Sequence, residues 1–272
     1  MFITRTISGA VLLIIMFGSI FLGNPVWFGL NIVLSMIAMY EMLKVFKLEK
    51  TSLAFISYIS GICIYALLYL KHDDLILGII VLGFICMMAA YVIKWPHFDA
   101  SDIAKALFSL IYTCVCMSFL YRLRVVNNGI YYVWLVFIGA WGSDTCAYLT
   151  GILIGKHKLP STLSPKKTIE GCAGGVAGAA LIGVLYGLFA RGHIDMHANL
   201  VIVFGITGAI CSVLSQIGDL CASAVKRNCS IKDYGKLIPG HGGVMDRFDS
   251  IIFLAPIIYY ILYVLEKLQM IQ

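Results

Sequence analysis

The sequence predicts an all-α protein, a polytopic bundle of transmembrane helices. Of its 272 residues, 61% are hydrophobic and only 12% are charged, and the mean hydropathy is +0.94. Such a composition is typical of a membrane protein rather than of a soluble domain. Nine apolar stretches are each long enough to cross a hydrocarbon layer about 30 Å thick. We therefore expect about nine spans and a polar site that opens to the cytoplasm.

The predicted spans follow one another along the whole chain. The first five form an N-terminal region, 1–125, and the last four form a C-terminal region, 126–272, with polar loops at 155–170 and 226–248. Arg5 before the first apolar run resembles a signal peptide, but no small-residue cleavage site follows, so we expect an uncleaved helix. The spans are 6–23, 26–46, 53–70, 75–93, 103–121, 130–154, 171–190, 199–225 and 249–267.

The basic residues orient the predicted bundle. With the N-terminus in the cytoplasm, most of the 20 lysines and arginines lie on the cytoplasmic side. This asymmetry follows the positive-inside rule and puts both polar loops in the cytoplasm. It also accounts for the net charge of +6 without a nucleic-acid-binding face. The basic residues on the other side are Lys71, Arg122, Arg124, Arg191 and Lys267.

A polar segment, 223–249, interrupts the hydrophobic sequence near its end. It contains the glycine-rich run Pro239-Gly240-His241-Gly242-Gly243. Fixed cations beside carboxylates suit a metal-bound, phosphate-bearing ligand, and glycine N–H groups can approach phosphate oxygens. A flexible turn between membrane-flanking charges is the alternative. The charged residues are Lys226, Arg227, Lys232, Lys236, Arg247, Asp233, Asp246 and Asp249.

The eighth predicted span carries a polar stripe. Ser212, Ser215, Asp219, Ser223 and Lys226 recur at intervals of three or four residues and fall on one helix face. Asp219 lies roughly 10 Å deeper than Lys226. A carboxylate facing lipid there would cost about 2.5–3.5 kcal/mol. We expect the stripe to face a wet pocket; the alternative is an interhelical hydrogen bond from a protonated Asp219.

A second group of polar residues surrounds the loop 155–170. Asp144 lies inside an apolar span, where an acid is a functional candidate by default, although a structural ion pair is the alternative. Ser164-Pro165-Lys166-Lys167 predicts a helix start with Ser164 as N-cap, and its N–H groups and ammonium charges suit an anion. Positive-inside charge is the plainer interpretation. Glu170 either orients a lysine or binds the ligand.

Four glycines follow this loop in an apolar helix. Gly171, Gly174, Gly175 and Gly178 resemble a phosphate-binding loop at first sight, but the Gly-Lys-Ser/Thr ending of a P-loop is absent. Spacing of small residues by four positions is typical of helices that pack closely in a membrane. We therefore predict that these glycines serve helix packing.

The motifs in these segments resemble a known family. The first comprises Ser223-x-Val225-Lys226-Arg227, four residues, Lys232-Asp233-x-Gly235, and Ile238-Pro239-x-His241-Gly242-Gly243-Val244-x-Asp246-Arg247-Phe248-Asp249. The second comprises Trp141-x-x-Asp144-Thr145-x-Ala147-Tyr148, Gly155-Lys156 and Ser164-Pro165-Lys166-Lys167-Thr168-x-Glu170-Gly171. Together they resemble the phosphatidate cytidylyltransferases, or CDP-diacylglycerol synthases. The resemblance is sharp over about 140–250, and the earlier parts match only in being membrane-spanning.

The resemblance implies an activity and a setting. The enzyme would transfer the cytidylyl group of CTP to phosphatidate, giving CDP-diacylglycerol and pyrophosphate. It would be a homodimer among the lipids of a bacterial inner membrane, with its catalytic region facing the cytoplasm. The expected cofactor is Mg²⁺, with room for a second cation. The implied metal ligands are Asp219, Asp246 and Asp249, and Mg²⁺ usually takes one or two carboxylates together with phosphate and water.

The other site residues are likewise implied by the motifs. For Asp246 the alternative is a helix cap or a salt bridge to Arg247, and for Asp249 a charge that stabilises a helix N-terminus. The implied catalytic residues are Asp144, Lys226, Arg227, His241 and Asp246. The implied substrate-binding residues are Lys166, Lys167, Glu170, Ser223, Lys226, Arg227, Gly242, Gly243 and Arg247.

Two other functions remain open. A related enzyme could use an isoprenoid lipid phosphate, or could transfer phosphate from CTP to a polyprenol. The polyprenol reaction needs a base for a neutral hydroxyl group and yields CDP. A transporter could use Asp144 and Asp219 as an ion relay. It would show no nucleotide dependence and would not require the basic, glycine-rich loop.

Overall fold

The structure, a computed structural model, describes residues 2–160, 163–194 and 198–269, with side chains from residue 6 onward. Within these ranges the chain forms eleven α-helices and no β-strand, only two isolated bridges. The predicted all-α class is therefore confirmed. Residues 161–162 of the predicted loop 155–170 and the side chain of Arg5 lie outside the described residues.

Six α-helices occupy the N-terminal half. The fifth and sixth are continuous through a short π-helical segment, Leu110–Val115. Its hydrogen bonds span one residue more than those of an α-helix, so this turn contains one extra residue, as π-bulges do. The helices are α1 Phe2–Leu22, α2 Asn24–Val45, α3 Ser52–Tyr69, α4 Ile76–Ile93, α5 Ala100–Ser109 and α6 Cys116–Val125.

Five further α-helices occupy the C-terminal half. A second π-helical segment, Ile138–Gly142, joins the first two of them. It immediately precedes Ser143 and Asp144, so the acid predicted inside this span follows an irregular turn. The helices are α7 Gly129–Phe137, α8 Ser143–Ile154, α9 Ile169–Ala190, α10 Leu200–Asn228 and α11 Met245–Lys267.

Seven helices of the described chain are long and apolar enough to cross a membrane, which makes this a multi-pass membrane protein. Two predicted spans are not among the seven. The span predicted at 6–23 is the shorter apolar helix Thr6–Leu22, and the one predicted at 130–154 has polar residues in its middle. The seven helices are Asn24–Val45, Ser52–Tyr69, Asp73–Ile93, Ala100–Val125, Ile169–Ala190, Leu200–Asn228 and Met245–Lys267.

The helix start predicted at Ser164 is wrong. The Lys167 N–H donates to the Ser164 carbonyl oxygen at 3.2 Å, which closes a turn rather than a helix. α9 begins five residues later, where the Thr168 hydroxyl accepts a hydrogen bond from the Gly171 N–H at 3.1 Å. Thr168 is an effective N-cap because its side-chain oxygen satisfies a helix N–H that has no partner within the helix.

The polar loop predicted at 226–248 is shorter than expected. α10 continues to Asn228, and α11 already begins at Met245. Lys226 and Arg227 therefore lie in the last turn of α10, and Asp246 lies in the first turn of α11. The basic end of α10 and the acidic start of α11 both suit the helix macrodipole, which helps to explain the longer helices.

The chain divides into two compact units. The first comprises Met1–Ser118 and Cys229–Arg247, and the second comprises Phe119–Asn228 and Phe248–Gln272. The interior of the first unit includes large, fully buried side chains of α2 and α3, such as Trp27 and Tyr65. The predicted regions 1–125 and 126–272 remain a prediction about where catalysis takes place.

In the second unit α9 packs closely against α8. A Cβ atom added at Gly174 would collide with the Thr150 side chain, and one added at Gly178 would collide with Cys146. A Cβ atom at Gly171 would lie 2.9 Å from the carbonyl oxygen of α8 residue Ala147. These glycines thus allow two helices to approach each other, which confirms the prediction that they serve packing.

The other side of α9 packs equally closely against α10. A Cβ atom at Gly183 would collide with the Phe204 carbonyl oxygen, and one at Gly208 would lie 2.5 Å from the Ala179 carbonyl oxygen. Because these obstacles are backbone atoms, no rotation of a side chain could relieve them. α9 is therefore held between α8 and α10, and its N-terminal end lies beside Asp219 in the polar stripe of α10.

Candidate active site

The polar stripe of α10 faces protein rather than lipid. Ser212 and Ser215 are fully buried. The Ser212 hydroxyl lies 2.6 Å from the Ser143 hydroxyl on α8, and Ser250 Oγ donates to the Ser215 carbonyl oxygen at 3.3 Å. Ser212 and Ser215 thus join α10 to neighbouring helices. The later part of the stripe, from Asp219 onward, is available to line a binding site.

A cavity of about 420 Å³ lies beside this second half, entirely within the second unit. Asp144 of α8 and Asp219 of α10 line it, together with Lys166 and Lys167 of the loop before α9. The two segments predicted separately, the acid of the sixth span and the lysines of the loop, therefore meet Asp219 at one cavity. Mixed charges around a cavity of this size suit a charged ligand.

Within this cavity Lys167 and Asp219 form an ion pair. Lys167 Nζ lies 2.6 Å from Asp219 Oδ2, and the side chains are 26% and 28% exposed. Asp219 thus pairs with an ammonium group. This contact differs from the alternative considered above, in which a protonated Asp219 donates a hydrogen bond to a neighbouring helix. Removing either partner would leave the other charge only partly hydrated, at a cost in free energy.

Asp249 adds a buried carboxylate to the unit, beside the partly exposed Asp219. It is 8% exposed, and its Oδ1 accepts a hydrogen bond from the Ser250 N–H at 2.8 Å. Asp249 lies within electrostatic range of Asp219, Lys226 and Asp144. Three carboxylates and the ammonium groups of Lys167 and Lys226 are therefore gathered in one region of the second unit.

The carboxylates of this region can hold Mg²⁺ only together with ligands from the substrate and from water. No group of three or more His, Cys, Asp or Glu side chains in the described part of the chain is arranged to hold a metal. Mg²⁺, however, is commonly held by one or two carboxylates, with substrate phosphate and water completing the octahedron. Asp219 and Asp249 can supply such carboxylates. Because Lys167 contacts Asp219 Oδ2, a cation at Asp219 would share that oxygen with the ammonium group or displace it.

Glu170 binds a histidine that the sequence did not single out. Both of its carboxylate oxygens lie 3.2 Å from the His157 backbone nitrogen, and Oε1 lies 2.6 Å from His157 Nδ1. The Ile169 N–H also donates to the His157 carbonyl oxygen at 2.9 Å. Glu170 thus fixes the beginning of the lysine loop against the first turn of α9.

The glycine-rich loop of the first unit is closed by its own hydrogen bonds. The Ile238 N–H donates to the Gly242 carbonyl oxygen at 2.8 Å, and the His241 N–H donates to the Ile238 carbonyl oxygen at 2.9 Å. Gly242 has a φ of +87°, a conformation that favours glycine. Since the N–H groups of His241 and Gly243 have partners within the protein, the predicted phosphate contact through loop N–H groups has fewer donors than the sequence suggested.

Asp246 is 7% exposed, and its Oδ2 binds two backbone N–H groups. This oxygen accepts hydrogen bonds from the Tyr234 N–H at 2.8 Å and the Gly243 N–H at 3.0 Å. Both donors precede Met245, the first residue of α11, so Asp246 holds the segment before the helix rather than capping the helix itself. Its role as a metal ligand stays a prediction. Arg247, the next residue, is exposed.

Two residues that sequence reasoning missed contact this loop and the segment after it. Ser8 of α1 donates to the Pro239 carbonyl oxygen at 2.9 Å, and its Oγ lies 2.9 Å from His241 Nδ1. Glu41 of α2 accepts hydrogen bonds from the backbone of the segment that follows the loop. Ser8 carries no distinctive sequence signal. Glu41 carries one, because it is an acid inside an apolar span, the same signal that identified Asp144 and Asp219.

The predicted site residues divide between the two units. Arg227 and Lys166 are exposed, whereas Ser223, Lys226 and Lys167 are partly buried. The second unit contains Asp144, Lys166, Lys167, Glu170, Asp219, Ser223, Lys226, Arg227 and Asp249, and the first contains His241, Gly242, Gly243, Asp246 and Arg247.

These features define a multi-pass, helical membrane protein with a cavity that combines lysines and aspartates. Residues 3–265 match the cytidylyltransferase family. The chain is 32% identical over 263 residues to the phosphatidate cytidylyltransferase of Staphylococcus aureus (strain COL), an alignment that covers 95% of this chain and 98% of the relative. The corresponding protein of Staphylococcus saprophyticus is 31% identical over 262 residues, with the same coverage. That of Staphylococcus epidermidis (strain RP62A) is 36% identical over 185 residues, 68% of each chain.

The chain therefore belongs to the cytidylyltransferase family, as the motifs in its polar segments predicted, and it is a nucleotidyltransferase enzyme.

Proposed function

We propose that the protein transfers the cytidylyl group of CTP to phosphatidate and so forms CDP-diacylglycerol and pyrophosphate. The observation that carries this proposal is the cavity of the second unit, in which Lys166 and Lys167 lie beside Asp144 and Asp219. Lysines suit the triphosphate of CTP, and carboxylates suit the cation that accompanies it. Full-length similarity to phosphatidate cytidylyltransferases supports the choice of substrates.

The reaction exchanges one phosphorus–oxygen bond for another. An oxygen of the phosphatidate phosphate attacks the α-phosphorus of CTP, and the bond to the bridging oxygen of the β-phosphate breaks, releasing pyrophosphate. A phosphate nucleophile is already ionised near pH 7, so no general base is required. The protein contributes position and positive charge for the leaving pyrophosphate. Bound Mg²⁺ would supply further neutralisation of the phosphate charge.

Individual residues take the following roles in this proposal. Lys166 and Lys167 bind the triphosphate, and Glu170 fixes their loop. Asp219 and Asp249 would hold Mg²⁺, with Asp246 as the further ligand that the motifs imply, and a second cation is allowed. Asp144 would orient a lysine or the cation. The remaining predicted residues bind the lipid phosphate or form the glycine-rich loop. They are Ser223, Lys226, Arg227, His241, Gly242, Gly243 and Arg247.

The proposed topology places this chemistry at the cytoplasmic side of a bacterial inner membrane. It has nine spans: the seven long apolar helices, α1, and the divided helix from Gly129 to Ile154. The N-terminus is cytoplasmic. The positive-inside distribution of lysine and arginine supports this orientation. Soluble CTP can then meet a lipid phosphate at the interface. We propose a homodimer as the working assembly.

Pyrophosphate release by the purified protein tests the proposal. Mixed micelles would contain phosphatidate, CTP and Mg²⁺, each omitted in turn, and the lipid product would be identified by mass spectrometry. We expect release only with all three components, together with CDP-diacylglycerol. Turnover with an isoprenoid phosphate but not with phosphatidate, or CDP as the product of a polyprenol, would replace the proposed reaction. Nucleotide-independent ion flux in proteoliposomes without pyrophosphate release would indicate a transporter.

A further inference from the structure

Glu41 is an acid whose side chain is almost completely enclosed. It lies in the apolar helix α2 and is 4% exposed. Its Oε1 accepts a hydrogen bond from the Val244 N–H at 3.1 Å, and its Oε2 accepts one from the Met245 N–H at 2.9 Å. α11 begins at Met245. Both carboxylate oxygens therefore bind the N-terminal end of α11, where N–H groups lack helical partners and a negative charge is favoured.

Two glycines of the polar segment leave room for this carboxylate. A Cβ atom added at Gly235 or at Gly243 would collide with the Glu41 carboxyl group. At Gly243 both carboxylate oxygens and Cδ of Glu41 are in the way. Both positions belong to the family motif of the polar segment, and Gly243 is also part of the glycine-rich run that was predicted to approach phosphate. The structure gives them a different physical reason for being glycine, namely the close approach of an acid from α2.

Asp246 continues the same arrangement. Its Oδ2 binds the Gly243 N–H, and the next two N–H groups, of Val244 and Met245, bind Glu41. Three consecutive backbone N–H groups are thus divided between two buried carboxylates. Since Asp246 and Arg247 are the residues that immediately follow, their positions depend on how this backbone is held.

We propose that Glu41 is a positioning residue for cytidylyl transfer: it fixes the start of α11, and thereby Asp246 and Arg247, without contacting the substrate. This inference rests on the proposed function. It concerns a residue outside both motif regions, and it assigns the acid of α2 to the catalytic geometry rather than to the stability of the membrane-embedded fold alone.

The test compares Glu41→Gln with Glu49→Gln. Glutamine has nearly the same shape, but its NH₂ group faces one of the two backbone donors, so one hydrogen bond is lost. Glu49 lies just beyond the end of α2, is partly exposed, and supplies the matched loss of charge. We expect the kcat of Glu41→Gln, per folded molecule, to fall on the order of 100-fold, as small misplacements of reacting groups do. KM for CTP and for phosphatidate should change less than threefold, and Glu49→Gln should match the wild type.

A purely structural role would reduce the yield of folded Glu41→Gln and leave kcat per folded molecule unchanged, and this result would overturn the inference. Should Glu41→Gln not fold, Gly235→Ala provides the second variant, because it presses on the Glu41 carboxylate while keeping its charge. The same fall in kcat is expected, and a normal kcat would count against the proposal.

Hydrogen exchange separates this inference from the proposed reaction. In detergent micelles the peptide containing Val244 and Met245 should exchange at least tenfold faster in Glu41→Gln than in Glu49→Gln. Equal exchange would refute the contact on which the inference rests. A wild-type protein that forms no CDP-diacylglycerol would refute the proposed reaction and with it the catalytic role of Glu41, whereas the exchange result would still show whether Glu41 holds the start of α11.

Discussion

Lys167 Nζ contacts Asp219 Oδ2 at 2.6 Å, so the lysine proposed to bind the nucleotide is paired with the aspartate proposed to bind the metal. An ion pair of this kind keeps both charges in place while no substrate is bound. In the proposed function each of these two groups has a second partner: the Lys167 ammonium group would bind phosphate oxygens of CTP, and the Asp219 carboxylate would hold Mg²⁺.

The first prediction concerns Asp219. Asp219→Asn removes the charge that Lys167 and the cation both require, while the amide preserves the shape of the side chain. We expect kcat/KM to fall roughly 100-fold or more, a size typical of lost electrostatic stabilisation in an active site, with the protein still folded by size-exclusion chromatography. Asp74→Asn, an exposed site between α3 and α4, is the control. Near-normal turnover of Asp219→Asn would remove Asp219 from the site.

The second prediction separates nucleotide binding from lipid binding. Lys167→Ala should raise KM for CTP at least tenfold, because the ammonium group is lost from the cavity, and should leave KM for phosphatidate nearly unchanged. Lys158→Ala removes an exposed charge from the same loop and should alter neither constant by more than twofold. Steady-state kinetics with each substrate varied in turn provide the measurement. An effect confined to phosphatidate would assign this loop to the lipid instead.

The third prediction distinguishes the two interpretations of Asp246. Asparagine can place its side-chain oxygen where Asp246 Oδ2 accepts the Tyr234 and Gly243 N–H groups. If Asp246 also serves catalysis through its charge, Asp246→Asn should fold like the wild type and lose at least 100-fold in kcat. Asp246→Ala should lose stability as well, about 1–3 kcal/mol for each backbone donor left without a partner. An active, stable Asp246→Asn would leave Asp246 with only a structural role, that of holding the segment before α11.

The fourth prediction concerns packing in the second unit. Gly183→Ala places a Cβ atom against the Phe204 carbonyl oxygen, so α9 and α10 must separate. We expect the free energy of unfolding to fall by about 1–3 kcal/mol, the usual cost of overpacking, and the thermal midpoint in detergent to fall with it. Gly78→Ala is the control, since no atom lies within 4 Å of a Cβ atom there. Equal midpoints for the two variants would contradict the packing assigned to Gly183.

Much of the fold follows from the sequence because hydrophobic length and glycine spacing are local signals. Apolar runs predicted the long helices, and the spacing of Gly174 and Gly178 predicted the packing of α9. The helix ends were less predictable. Thr168 rather than Ser164 caps α9, because the two hydroxyl residues look alike in sequence and the turn at Ser164 depends on backbone contacts.

The site was predictable where charge stands out against an apolar background. Asp144 and Asp219 were found in this way, and the structure brings both to one cavity with Lys167. Glu41 carries the same signal but lies about 200 residues from its partner in sequence. Long-range pairing of this kind leaves no local pattern, and the bond between His157 and Glu170 was missed for a related reason, since neither residue is unusual for a polar loop.

The separation between Glu41 and its partners has a consequence for the order of synthesis. Val244 follows Glu41 by 203 residues. At a translation rate of roughly 5–20 residues per second, α2 emerges roughly 10–40 s before the backbone donors that its acid will bind. During this interval Glu41 must remain hydrated, be protonated, or be shielded by the insertion machinery. The acid of an early helix thus obtains its native hydrogen-bond partners only after a much later segment has been synthesised.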